Sequence, residues 1–152
     1  MDRTRWLALP LSALLLAACG SSGGDKLSKS DLIAKADKIC SDASKQVKAL
    51  KPSNLRDSGQ VQKATSSAAK LAQDAAGKLK DLTPPDSVKA DYNTFTMSII
   101  SQAEKANALS DAIKTKDKAK IKSSLQSLQQ GNAKGKAAAQ KIGFKECANP
   151  SR

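Results

Sequence analysis

Apolar positions recur at three- and four-residue steps in four separate stretches of the chain. The first stripe is Leu32, Ile33, Ala36, Ile39, Cys40, Ala43, Val47 and Leu50; the second is Val61, Ala64, Ala68, Leu71, Ala75, Leu79 and Leu82. Val88, Tyr92, Phe95, Ile99, Ala103, Ala106, Leu109 and Ile113 form the third, and Ile121, Leu125, Leu128, Gly135, Ala139 and Ile142 the fourth. Such spacing gathers apolar side chains on one side of an α-helix, and no stretch alternates with the period of a strand. The stripes are separated by Lys51-Pro52-Ser53-Asn54, Thr83-Pro84-Pro85-Asp86 and Lys114-Thr115-Lys116-Asp117. Proline drives the residue before it out of the helical region, so the first two links are firm stops. Ser30-Asp31, Asp86 or Ser87, and Asp117 are the expected N-caps. Gly143 suits the position just past the last helix, with Phe144 folding back as its apolar companion. Four amphipathic helices on short links predict an all-α fold, an antiparallel up-down four-helix bundle over residues 30–152.

The first eighteen residues follow a different rule. Arg3 and Arg5 precede a run from Trp6 to Ala18 that is apolar apart from Ser12. A basic start, a short apolar run and small residues before a break mark a secretory signal. The run is short of the roughly 20 apolar residues that a membrane span needs. Past it, Gly20-Ser21-Ser22-Gly23-Gly24-Asp25 has the composition of a flexible tether, placed here with Cys19 in residues 19–29.

The break itself reads Leu16-Ala17-Ala18-Cys19 and resembles the bacterial lipobox. That resemblance implies cleavage before Cys19, a diacylglyceryl group on its sulfur and an acyl chain such as palmitate on its new amine. Two or more chains hold a protein firmly at a bilayer, at about 0.8 kcal/mol per buried CH₂. The implied location is extracytoplasmic, lipid-anchored to the cell membrane.

Composition then changes the picture twice. With residues 1–18 removed, 24 Lys+Arg stand against 13 Asp+Glu, a charge of +11, and only 22 of 134 residues are Leu, Ile, Val or Phe. Those figures fall where disorder is common, but a disordered chain need not keep a helical phase, and this one does. If Cys19 goes to lipid, Cys40 and Cys147 remain. Two cysteines in an exported domain read as one disulfide, with two free thiols as the alternative. A bridge would close a loop of about 107 residues, worth roughly 4–5 kcal/mol in the chain-entropy model.

Lipobox, Gly/Ser tether, a cysteine on the first helix, the link Leu82-Thr83-Pro84-Pro85-Asp86 and the closing Ile142-Gly143-Phe144-Lys145-Glu146-Cys147 together resemble small lipoproteins of actinobacterial type. The resemblance implies a place and an architecture, not an activity.

Candidate chemistry is sparse. The chain has no His, which excludes a His-held metal or haem and a Ser–His–Asp triad. Ser67-Ala68-Ala69-Lys70 has the S-x-x-K spacing of penicillin-recognising enzymes, but the K-T-G and S-D-N elements that accompany it are missing. A Cys40–Cys147 redox pair is disfavoured because the two do not form a C-x-x-C. No catalytic residue, metal or cofactor is therefore expected, and an enzyme is not. Residues 114–145 hold nine Lys against Asp117 alone. Lys118, Lys120, Lys122, Lys134, Lys136 and Lys141 are candidate anion-binding residues that would make the fourth helix a cationic edge. Its partners would be anionic lipid or a cell-wall polymer; a solvated face kept for solubility is the plainer alternative. Nucleic acid is not an expected partner of an exported chain. Tyr92, Phe95 and Ile99 could line a pocket for an apolar ligand or could be plain core. The expected function is thus a non-enzymatic binding or structural module, with a carrier of a small apolar ligand as the alternative.

Overall fold

The computed structural model describes residues 26–149, apart from the side chain of Asn132. The expected signal peptide, Cys19 and most of the expected tether lie outside the described residues. Four helices follow one another: α1 (Lys29–Ala49), α2 (Ser58–Lys80), α3 (Lys89–Lys114) and α4 (Lys118–Ile142), with a single 3₁₀ turn over Asp86–Val88 leading into α3. Among the described residues there is no strand. Residue pairs across the helices fix the directions. Gln62 at the start of α2 meets Ser110 near the end of α3, and Asp91 at the start of α3 meets Lys141 at the end of α4. The tail after α4 returns to α1 at Asp37. The fold is the all-α bundle that the periodicity predicts.

Capping explains where the helices begin, and it differs in part from expectation. α1 starts earlier than Ser30-Asp31: Ser28 is the N-cap, its Oγ accepting from the Asp31 amide at 3.1 Å while its hydroxyl donates to the Asp31 carboxylate at 2.6 Å. Asp57 caps α2 through Gly59 and Gln60. Neither Asp86 nor Ser87 caps α3; the 3₁₀ turn after Pro85 opens that helix without a side-chain bond, and Asp86 pairs instead with Lys26. Asp117 caps α4 as expected, accepting from the Lys120 amide at 3.0 Å. At its other end Gly143 adopts φ 101°, a left-handed conformation costly for any residue with a Cβ. The Gly143 amide reaches the Gln140 carbonyl and the Phe144 amide the Ala139 carbonyl, which is the Schellman pattern. Phe144 is thereby turned into the core, 4% exposed.

The main core lies at the end where α1 begins and α4 finishes. Leu32 and Ala36 of α1 pack there with Leu79, Val88, Tyr92, Phe95, Ala138, Ala139, Ile142 and Phe144. The three aromatic rings of the described chain meet: Phe95 and Phe144 have centroids 5.2 Å apart, and Tyr92 lies 6.2 Å from Phe144. The buried Tyr92 hydroxyl donates to the Leu79 carbonyl at 2.6 Å, and burial raises its pKa. Toward the other end the packing is carried by small residues, among them Ala69, Ala103 and Ala112. α3 and α4 come close at Gly131 and Gly135, where an added Cβ would press on Gln102 and Ser98. One expected stripe position is misplaced: Leu125 is 48% exposed. Ile121, Ser124 and Leu128 are half-buried in its stead, because the inward side of α4 lies one residue away from the stripe there.

Candidate functional site

Cys40 and Cys147 are joined, with Cα atoms 5.1 Å apart. The geometry that delivers Cys147 begins at Asp37, one helical turn before Cys40. Its carboxylate accepts from the amides of Lys145 at 2.9 Å, Glu146 at 3.0 Å and Cys147 at 3.1 Å. It gathers the N–H groups of the turn that follows Phe144 much as a helix cap would. Sequence reasoning missed this residue. The signal was an acidic residue three positions before a cysteine, on the side of α1 that also carries Ile33.

The bridge and tail form one wall of a groove of about 630 Å³. Cys40, Ala43, Ser44, Val47 and Lys48 of α1 line one side and Gly131, Gly135 and Lys136 of α4 the other. Its floor is Phe95, Ser98, Ile99 and Gln102 of α3 with Ala72 and Ala75 of α2. In a tightly closed bundle, first and last helices would pack along their length. Here Leu32 and Ala36 of α1 share the core with Ala138, Ala139 and Ile142 of α4 at one end of the bundle. Beyond Cys40, α1 lines the groove with Ala43 and Ser44, and α4 lines it with Gly131 and Gly135. Of the three residues weighed as pocket-lining, Ile99 lines the groove, Phe95 lines it while belonging to the core at 3% exposed, and Tyr92 is core alone.

A smaller cleft of about 350 Å³ lies on the other flank of α1, against α2. It is lined by carboxylates as well as lysines, including Asp42, Asp74, Lys38 and Lys78.

All six candidate lysines are exposed, but they do not form one edge. At 3.6 residues per turn, Lys118 and Lys136 stand five turns apart on the same side of α4, with Lys122 beside them. Lys120, Lys134 and Lys141 form a second row. Between the rows the outermost positions are Ala119, Gln126, Ala133 and Ala137, all exposed. Two of the second row have acidic partners, Lys120 with Asp117 at 3.6 Å and Lys141 with Asp91 at 3.7 Å. The first row is on the groove side, where Lys136 lines the wall.

Ser67 is half-buried and Lys70 exposed on α2. Among the described residues, no three His, Cys, Asp or Glu are grouped to hold a metal, and no helix is long and apolar enough to cross a membrane. No family model matches the chain, and no curated protein or solved structure shows significant similarity to it.

Proposed function

We propose that this chain is a non-enzymatic, lipid-anchored envelope lipoprotein that carries an apolar ligand in the groove between α1 and α4. The groove is the observation that carries the reading. Its volume lies within the range of about 300–1,000 Å³ usual for small-molecule sites, and its floor holds Phe95 and Ile99 although large apolar residues are scarce in this chain. The lipobox at Leu16-Ala17-Ala18-Cys19 supports the anchor and the extracytoplasmic location.

Two measurements test the proposal. A polarity-sensitive apolar dye should bind the chain with an affinity that salt leaves unchanged, and Ile99→Trp should abolish that binding while helical content is retained. Absence of dye binding to the wild-type chain would remove the carrier. Mass spectrometry of the mature N-terminus should find an acylated Cys19; an unmodified Cys19, or a chain starting elsewhere, would remove the anchor. A second reading rests on the Lys118–Lys122–Lys136 row, which could hold anionic lipid or a cell-wall polymer at about 1 kcal/mol per lysine near an anionic surface. It requires binding to anionic but not neutral vesicles that salt suppresses.

A further inference from the structure

We propose that Asp37 docks Cys147 beside Cys40 before the disulfide forms, so that the open dithiol keeps the tail in place and closes on this pair. The inference is independent of what the groove holds. It concerns an order of events: groups other than sulfur position the tail, and the bond then locks a geometry already present. Gly143 ends α4 with its left-handed φ, and Phe144 turns inward to the two other rings. Ala148, one residue past Cys147, is 2% exposed in the same core. The Asn149 amide closes a turn on the Glu146 carbonyl at 3.3 Å. None of these contacts uses the bond. Between them the Asp37 carboxylate accepts three successive amides, with Oδ1 accepting from Lys145, Glu146 and Cys147 and Oδ2 from Lys145 as well.

Residues three apart on a helix are neighbours on its surface, so Asp37 and Cys40 share a side of α1. A carboxylate there fixes the backbone of one cysteine from the helix that carries the other. A free Cys147 thiol would also have an acceptor, since its Sγ lies 3.3 Å from the Ala36 carbonyl oxygen. Oxidised glutathione closes the pair in two exchanges. The thiolate of one cysteine attacks glutathione disulfide, giving a mixed disulfide and one released glutathione. The thiolate of the other attacks the protein sulfur and releases the second glutathione. Two electrons pass from the cysteines to glutathione, and the two thiol protons end on the released thiols. The second exchange is intramolecular, so its equilibrium measures how well the fold holds the two sulfurs together. A tail loose after Phe144 would have to be ordered at every closure, at a cost in conformational entropy. A tail already bound at Asp37 avoids that cost, as preorganisation does for any intramolecular step.

The test uses the full chain with Cys19→Ser, made by cell-free synthesis, so that Cys40 and Cys147 are its two thiols. This parent, Asp37→Asn and Asp37→Ala are equilibrated in graded mixtures of reduced and oxidised glutathione, quenched by alkylation and counted by mass. The counts give the effective concentration of one thiol toward the other. The reduced parent should keep its helical content by circular dichroism and slow hydrogen exchange at the Lys145, Glu146 and Cys147 amides. Asp37→Ala should lower the effective concentration about five- to tenfold, the factor that a lost cap represents, and should speed exchange at those amides in the dithiol. Asp37→Asn should recover a large part of both, because it keeps an oxygen acceptor and lacks the charge. A reduced parent that loses its helices, or that exchanges at the three amides as fast as reduced Asp37→Ala, overturns the proposal, since the bond would then be what places the tail. Equal effective concentrations in parent and Asp37→Ala overturn it as well, leaving Phe144 and Ala148 to hold the cysteine. An Asn variant no better than Ala would assign the effect to charge near the thiols and overturn positioning through the amides.

Discussion

Where α1 begins and α4 finishes, Leu32, Leu79 and Ile142 are fully buried, three aromatic rings converge and a disulfide ties the tail to the first helix. At the opposite end the buried side chains include Ala69, Ala103, Leu109, Ser110 and Ala112, while Val47 and Leu125 remain 41% and 48% exposed. The same chain thus builds one end by interlocking large side chains and the other by close approach of small ones. With so few large apolar residues, concentrating them at one end leaves Val47, in the far half of α1, 41% exposed. The groove is what that unequal distribution leaves open.

The sharpest way to break the contrast is to cut the bridge. Cys147→Ser should cost roughly 4–5 kcal/mol, since it releases a closure spanning 107 positions of sequence. That is a large part of the roughly 5–15 kcal/mol typical of a domain. Denaturant melts of oxidised wild type and variant measure it. A loss under about 1 kcal/mol would mean that the aromatic end holds the tail unaided. Next in size, Phe144→Ala should cost about 3–5 kcal/mol, because it removes a buried ring packed on two others. Leu125→Ala, at the other end, should stay within about 0.5 kcal/mol, as for surface changes in general. Equal losses at the two sites would erase the distinction between the ends.

How far the sequence discloses each end follows from the same physics. The four helices, the αL glycine at 143, the inward turn of Phe144 and the Asp117 cap are local signals, set by residues within a few positions of one another. They are legible for that reason. The bridge is legible through arithmetic on three cysteines once one is assigned to lipid, though spacing alone leaves two free thiols open. What is not legible depends on residues far apart in sequence. Asp37 meets amides more than a hundred positions away. The groove is lined by Ala43 and Ser44 together with Gly131 and Gly135. Small residues in a stripe read equally as close packing or as a gap; α3 against α4 shows the first outcome and α1 against α4 the second. The lysines mislead in a related way. Their number suggests one cationic edge, whereas the helical angle between them divides them into two rows.

Asp37 sharpens the comparison at smaller amplitude. Its three amide bonds hold the tail at the closed end, so Asp37→Ala should cost about 1–2 kcal/mol, the scale of a lost N-cap. Hydrogen exchange at the Lys145, Glu146 and Cys147 amides should quicken, with the aromatic core protected as before. Asp37→Asn should fall between wild type and Ala, because it retains an acceptor and loses the charge that strengthens these bonds. Unchanged exchange in the Ala variant would mean that the disulfide alone places the tail.

Asp117 gives the smallest effect and reports on the open end. Its pKa is lowered, first because its carboxylate accepts the Lys120 amide and further through the nearby Lys120 charge. A carboxyl whose folded-state pKa is depressed stabilises the fold above its unfolded-state value, and that stabilisation is lost as pH falls through the folded-state value. Acidification from pH 5 toward pH 2 should therefore loosen the first turn of α4, read as faster exchange at the amides of residues 118–121. Asn is nearly as good a cap without a titrating group, so Asp117→Asn should leave that turn almost as protected at pH 5 and remove its acid sensitivity. Asp117→Ala should fray the turn at both pH values. Because the aromatic core lies at the other end of α4, exchange around Ala139 and Ile142 should not follow the titration. If it does, the two ends unfold as one unit, and the loosely packed half of the bundle is coupled to the interlocked half more tightly than its packing implies.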